Sequence, residues 1–431
     1  MASPRSPFLV RCYRAATWLA TPFVRLLLAR RLKRGKEDGA RLTERYGRAS
    51  AARPRGPLVW VHGASVGEMI AVLPLIERLR ARGFRVLFTS GTVTSARLAQ
   101  ARLPPDVPHQ FVPLDSPLFL RRFLKHWRPD LVLLVESELW PNLIVEVNAR
   151  ATPLVLVNAR MSPSSFASWG RVPGSVAALL SRVDLCLAQG PDDGERLKQL
   201  GAPRVTVTGN LKFDAPPPPV DIAAFDTLRL ATAGRIVFVA ASTHPGEEEI
   251  VIEAHQRLAK ELPNLLTILA PRHPERGTAV VQLATAAGCP AVLRSDGYQP
   301  DRGTAIYVAD TIGELGLFYR LGPVALLGGS LVRRGGQNPI EPIKLDTAIL
   351  HGPHVTNFNA LYDRLDEAGG ALAVTDGRTL AAAAYRLLAD PAFRATMIAA
   401  GQATVESFGG ALERTLAAID PYLVQIQLER H

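Results

Sequence analysis

The chain has 431 residues, 47% of them apolar and 21% charged, so it is too long for one ordinary core and too apolar for a disordered chain; two folded domains are the expectation. Its formal charge is +11, yet residues 1–55 hold fourteen Lys or Arg against Glu37, Asp38 and Glu44, and everything after Arg55 sums to zero. A nucleic-acid-binding body would carry its basic patch on the folded domain, so this asymmetry argues against nucleic acid and for a basic N-terminal segment facing something anionic. Cys12, Cys186 and Cys289 are isolated, with no C-x-x-C pair, which predicts a reduced compartment and no zinc site.

Residues 8–29 are apolar and aromatic but broken by Arg11, Arg14 and Arg25. A membrane span needs roughly 20 predominantly apolar residues, and Arg at its centre is expensive. The segment therefore predicts a helix lying in the membrane interface, followed by the cluster Arg30, Arg31, Lys33, Arg34 and Lys36 that anionic lipid attracts. The competing reading packs this helix on the protein's own body. No small-residue cleavage site follows the apolar run, so no signal peptide is expected. Residues 1–36 form this expected anchor.

From Pro57 the chain alternates between β and α patterns. Strands are predicted at 58–61, 85–89, 131–135, 154–157, 185–188 and 205–207, with helices at 68–82, 94–102, 117–126, 175–182 and 191–200. Near-continuous apolar strands separated by helices mean a parallel sheet covered on both faces, which defines a first domain over 37–210. A proline-rich linker is expected at 211–230, its stiffest part at 215–220. The second domain, 231–431, repeats the alternation. Its strands are predicted at 236–241, 265–270, 291–293, 306–308 and 324–327, with helices at 246–261, 274–288, 312–319 and after Asn338. An amphipathic final helix at 411–428 fits against either domain. The fold class is α/β, two Rossmann-like doubly wound domains facing each other across a cleft.

The first strand runs into Gly63-Ala-Ser-Val-Gly67, a small-residue turn, and Glu68 follows in the first turn of the next helix. At the carboxyl edge of an open α/β sheet this is where ligands bind. The bland alternative is that Glu68 complements the helix dipole. Glu136 and Glu138 follow another buried strand, although strand-end acids also cap helices or pair with Arg. Asn158-Ala-Arg-Met-Ser162 places polar groups after the next strand, and Lys212 brings a cation near the linker.

The loops of the second half look built for an anion: Ser242-Thr-His-Pro-Gly-Glu247, Pro271-Arg-His-Pro274, Gly328-Gly-Ser330 and Gly335-Gly-Gln-Asn-Pro-Ile-Glu341. Backbone N–H groups of such glycine loops at a helix start favour phosphate, and Glu341, one turn into its helix, would accept bonds from a sugar's vicinal hydroxyls. No G-x-x-x-x-G-K-[ST] loop and no G-x-S-x-G elbow is present, which removes support from P-loop and α/β-hydrolase chemistry. The absence of a D-x-D motif or close His/Asp cluster predicts a metal-independent reaction without a cofactor.

Together, Val61-His-Gly-Ala-Ser-Val-Gly-Glu68, Glu136-Ser-Glu-Leu-Trp-Pro-Asn142, Asn158-Ala-Arg-Met161, Gly209-Asn-Leu-Lys-Phe-Asp214, Ser242-Thr-His244, Pro271-Arg-His-Pro274, Asp310-Thr-Ile-Gly-Glu-Leu315 and Gly328-Gly-Ser330 through Asn338-Pro-Ile-Glu341 resemble the bacterial Kdo transferases. The resemblance implies the GT-B architecture and inverting transfer of 3-deoxy-D-manno-octulosonic acid (Kdo) from CMP-Kdo to a lipid A precursor, lipid IVA, in lipopolysaccharide synthesis. It further implies action at the cytoplasmic face of the inner membrane, where the basic N-terminal cluster is expected to meet anionic lipid. By the same resemblance Glu68 corresponds to the catalytic base, and Glu136 and Lys212 to transition-state stabilisers. Pro271 and Arg272, Ile312, Gly313 and Glu314, and Asn338, Pro339, Ile340 and Glu341 match the segments that hold CMP. The alternatives are another membrane-associated GT-B transferase or epimerase using a UDP-sugar, and a non-catalytic membrane scaffold.

Overall fold

Fourteen parallel strands form two seven-stranded sheets in a computed structural model that describes residues 7–218 and 220–429. Two units divide the chain: the first runs to Ala215 and resumes at Phe408, and the second is Pro216–Ser407. Residues 1–6 of the expected anchor and Pro219 of the expected linker lie outside the described residues.

In the first unit the strands are β1 (Leu58–His62), β2 (Arg85–Ser90), β3 (His109–Phe111), β4 (Leu131–Val135), β5 (Leu154–Ala159), β6 (Leu185–Ala188) and β7 (Val205–Val207). Their order is β3-β2-β1-β4-β5-β6-β7, so the winding reverses between β1 and β4, where His62 pairs with Leu134. Alternate residues of one apolar strand feed two cores. Trp60, Leu87, Val132 and Leu134 pack with Phe123 and Trp127 on one face. Val59, Val61, Val86 and Leu133 pack with Val72, Leu75 and Ile76 on the other.

The final helix, Ala411–Leu428, completes that second face by burying Leu416, Ile419 and Leu423. Each such side chain contributes about 1.5–3 kcal/mol, enough to hold a chain terminus on a body from which almost 200 intervening residues depart. The sequence left this helix free to choose a domain. Its apolar stripe belongs to the first unit.

The second unit contains β8 (Ile236–Thr243), β9 (Leu265–Pro271), β10 (Ala291–Leu293), β11 (Ile306–Val308), β12 (Val324–Leu327), β13 (Ala348–His351) and β14 (Ala371–Ala373). The order β10-β11-β9-β8-β12-β13-β14 reverses between β8 and β12. Strands β3, β13 and β14 have no counterpart in the sequence expectation. They are three or four residues long, and β3 and β14 lie at sheet edges, where a long apolar run is not required.

The basic apolar segment folds as two helices, Phe8–Leu19 and Val24–Lys33, where a single helix was expected. A 3-10 turn at Thr21–Phe23 separates them, because Pro22 has no N–H for the helical ladder. One face binds the first unit. Val10 and Leu28 are buried, Arg14 donates to Glu146 at 2.7 Å, and Tyr13 donates to Asp115 at 3.0 Å. The other face leaves Phe8, Leu9, Trp18, Leu19, Phe23, Leu26 and Leu27 exposed. Among the described residues no helix is long and apolar enough to cross a membrane.

Candidate functional site

The turn after β1 brings Glu68 back over its own helix start. Ser65 is the N-cap of helix Val66–Ala81, and its hydroxyl oxygen accepts from the Glu68 N–H at 3.3 Å. In return, Glu68 Oε1 accepts from the Ser65 hydroxyl and Oε2 from the Ala64 N–H, both at 2.7 Å. Reciprocal bonding of this kind is close to a capping box, displaced by one residue toward the strand. The dipole and cap interpretation is thus realised, but it is not the whole of the arrangement. Burial pushes the Glu68 carboxyl above its ordinary pKa; the Ser65 bond opposes this, the charge of Glu136 adds to it, the Ala64 bond opposes and Glu138 adds again. Three carboxylates therefore converge at the reversal of winding between β1 and β4.

Glu136 follows β4 with φ at 61°, a left-handed conformation that costs a residue with a side chain about 1 kcal/mol or more. Its Oε1 accepts from Lys212 Nζ at 2.7 Å. Lys212 is held on a 3-10 turn, Leu211–Phe213, capped by Asn210. That turn is clipped from two sides. Asn158, itself at φ 52°, accepts from the Leu211 N–H at 2.9 Å, and Asp214 accepts from the N–H groups of Gly410 and Leu412 at 2.7 and 2.6 Å. Phe213 stacks on Phe408 at 4.9 Å. The final helix therefore positions the lysine as well as covering the core.

Glu138 Oε2 accepts from Trp140 Nε1 and lies 3.6 Å from Nε2 of the buried His62. Burial favours its protonated form, but His62 and Trp140 outweigh burial and hold the carboxyl below its usual range. Nδ1 of His62 is 2.9 Å from Thr89 Oγ1, which fixes the ring. Neither the His62–Glu138 pairing nor the bond from the Leu211 N–H to Asn158 was legible in the sequence; the available signal was a polar residue ending an otherwise apolar strand.

In the second unit the glycine loop is not free for an anion, contrary to the sequence expectation. Glu247, fully buried in the first turn of helix Glu247–Glu261, accepts from the N–H groups of Gly329 (2.7 Å), Ser330 (3.0 Å), Leu331 (2.9 Å) and His244 (2.9 Å). A carboxylate of the chain itself occupies the nest that phosphate was expected to fill. The close approach of β8 and β12 requires Gly328, since a Cβ there would lie 2.4 Å from the Ser242 carbonyl. Ser242 adopts φ 56° at the same junction.

What faces outward at these strand ends is cationic. Pro271 ends β9, and the Arg272 N–H donates to the Thr243 carbonyl at 2.8 Å, while its exposed guanidinium makes no ion pair among the described residues. The rings of His244 and His273 meet edge to face with centroids 5.7 Å apart. Burial lowers the His244 pKa; Glu247 works against this, and His273, Arg334 and Arg272 reinforce it.

The other expected nucleotide segments lie in the same unit. Ile312 is exposed and Gly313 has φ 89°. Glu314 is occupied by Arg294, which donates from Nε at 2.6 Å and from Nη2 at 2.5 Å, and by the Thr311 hydroxyl. Burial opposes ionisation of Glu314, but these bonds hold its carboxyl below the ordinary range. This segment therefore offers its backbone and Ile312 rather than a free acid. Asn338 Oδ1 accepts from the Ile340 N–H at 3.0 Å, and its Nδ2 donates to Glu341 at 3.3 Å. Glu341 sits in the first turn of a helix only four residues long, Ile340–Ile343, with buried Pro339 and Ile340 behind it. Burial raises its pKa, opposed by the Asn338 bond.

Residues 40–215 match the family model described as 3-deoxy-D-manno-octulosonic-acid transferase (kdotransferase). The chain is 36% identical over 392 residues to the 3-deoxy-D-manno-octulosonic acid transferase of Haemophilus influenzae, covering 89% of this chain and 91% of that protein. It is 38% identical over 415 residues to the enzyme of the same name from Bordetella pertussis, covering 93% and 96%. A solved glycosyltransferase from Rickettsia africae superposes with a TM-score of 0.59 at 11% identity, covering 86% of this chain and 99% of that one, a likeness of fold. The chain therefore belongs to the 3-deoxy-D-manno-octulosonic acid transferase family, glycosyltransferases of GT-B fold.

Proposed function

We propose that this protein transfers Kdo from CMP-Kdo to a lipid A precursor, with the first unit supplying the base and the acceptor site and the second holding the donor. The observation that carries the catalytic part of this reading is the position of Glu68. It is buried beside two further carboxylates at the reversal of winding, and burial raises its pKa above the ordinary carboxylate value.

A glucosamine hydroxyl of the acceptor attacks the anomeric carbon of Kdo and loses its proton to Glu68. The new carbon–oxygen bond forms as the bond to the CMP phosphate breaks, and the electron pair leaves with the phosphate. Attack opposite the leaving group inverts the anomeric centre. The Ser65 and Ala64 donors favour the carboxylate form of Glu68, while burial and its acidic neighbours make it more basic. Lys212 stabilises the negative charge gathered there, and Arg272 takes up charge developing on the phosphate.

The exposed apolar face of Phe8–Leu19 and Val24–Lys33, with Arg30, Arg31 and Lys33 in the last turn of the second helix and Arg34 at its C-cap, suits the cytoplasmic surface of the inner membrane, where the acylated acceptor lies. The decisive experiment incubates the protein with CMP-Kdo generated in situ and the lipid precursor, then weighs the lipid by mass spectrometry. A mass gain of one or more Kdo units is expected. An unchanged lipid, or thermal protection by UDP and not by CMP, overturns the reading.

A further inference from the structure

An open cavity of about 680 Å³ in the second unit is lined by Arg333, Arg334, Gly335, His354 and Thr356. We propose that this cavity receives the carboxylate of the transferred sugar acid, with Arg334 as its principal donor and Arg333 and His354 beside it. The inference rests on the donor assignment made above.

Arg333 and Arg334 are exposed and make no ion pair among the described residues. The backbone that carries them is nonetheless well fixed. Asn357 Nδ2 donates to the carbonyls of Arg334 and Gly336, each at 3.2 Å, and the Asn357 N–H donates to the Gly335 carbonyl at 2.8 Å. Gly335 has φ 88°, and a Cβ there would come within 2.7 Å of the Asn357 amide, so the clasp admits only glycine. On the opposite side the His354 N–H donates to the Ser330 carbonyl at 2.9 Å. Two cations are thus presented from a rigid loop without a neutralising acid.

The cavity adjoins the donor segments. A Cβ on Gly329 would meet Gln337 at 3.3 Å, the Arg334 Cβ at 3.4 Å and the His244 ring at 3.5 Å, so Arg334 and His244 flank one bare glycine. Arg272 and Arg334 both bear electrostatically on His244. The nearby buried acid Glu247 is already committed to four amides. A ligand with two anionic groups close together matches such a pair of sites. An ulosonic acid linked to a nucleotide has this form, because its carboxylate and its phosphate oxygen are attached to the same anomeric carbon. With Arg272 on the phosphate, the guanidinium fork of Arg334 is suited to the geminal carboxylate.

The test compares the full-length protein with Arg334→Gln, Arg334→Lys and Arg333→Gln/Arg334→Gln. CMP affinity should stay within about twofold, because CMP lacks the carboxylate, while KM for CMP-Kdo should rise about tenfold or more in Arg334→Gln and further in the double variant. Arg334→Lys should recover part of the loss. Free sugar acid alone should protect the wild type thermally and not the double variant, a readout that does not require CMP to bind. An unchanged donor KM overturns the proposal, as does a rise confined to the acceptor's KM or a parallel loss of CMP affinity, which would assign Arg334 to the phosphate. Absence of CMP binding by the wild type would instead strike the donor assignment, and the sugar-acid arm would then decide this proposal independently.

Discussion

Lys212 Nζ lies 2.7 Å from Glu136 Oε1, and the two residues are 76 positions apart in the chain. One comes from a strained strand end and the other from a turn clipped by the final helix, so neither can drift without breaking a bond elsewhere. A lysine ammonium within hydrogen-bond reach of one carboxylate in a group of three makes the cluster tolerable and leaves Glu68 basic.

Replacing Glu136 by Gln should shift the pH dependence of transfer. The charge of Glu136 raises the Glu68 pKa, so its removal lowers that pKa. A base works above its pKa, and the acid limb of the kcat/KM profile should therefore move to lower pH. A limb that moves upward or stays in place would detach Glu136 from Glu68 electrostatically.

Glu68→Gln separates capping from catalysis. A glutamine can still accept from the Ala64 N–H and meet the Ser65 hydroxyl, but it cannot take a proton. Transfer should fall by about 10²–10⁴-fold. The Glu68 carboxyl is raised in the folded state, so its ionisation opposes folding increasingly as pH rises above the unfolded value. At neutral pH the Gln variant should thus melt at or above the wild-type temperature, whereas Glu68→Ala, which also loses the turn bonds, should cost ~0.5–2 kcal/mol. Full activity in the Gln variant would leave Glu68 as a cap alone.

Glu247→Ala should be among the most damaging single changes in the second unit. It strips four backbone N–H groups of their acceptor, three of them in the loop after β12. Leaving several such donors unpaired costs roughly 3–5 kcal/mol. The expected outcome is a large fall in Tm together with loss of CMP binding, measured by calorimetry; a Tm within a degree of wild type would mean that the loop re-pairs its amides by another route.

Membrane contact can be tested without deleting helices that also pack on the first unit. Phe8→Ser, Trp18→Ser and Phe23→Ser remove side chains that are 70%, 57% and 72% exposed, so the fold should be unaffected. Each large apolar group inserted into lipid contributes about 1.5–3 kcal/mol, and the triple variant should bind anionic vesicles at least a hundredfold more weakly in sedimentation. Equal binding would refute insertion of this face. Loss of binding in high salt alone would assign the attachment to the basic cluster.

The strands in the middle of each sheet were legible in the chain alone, because a strand buried on both faces must be apolar along its length, as Leu58–His62 and Leu131–Val135 are. The places of Glu68 and Glu136 at the strand ends were legible too, since a glycine-rich turn and a carboxylate after an apolar run are local features. Strands such as His109–Phe111 were not, because an edge strand of three residues needs no long apolar run. The partners of these groups follow from the folded arrangement and from nothing local. Gly329 and Ser330 looked like free donors, yet Glu247, 82 and 83 residues earlier, is bonded to them, and the final helix joins the first unit through the stripe it buries there. Periodicity and turn chemistry are written within a few residues of chain, whereas hydrogen-bond and ion-pair partners are set by sheet order, which brings together groups that no local pattern connects.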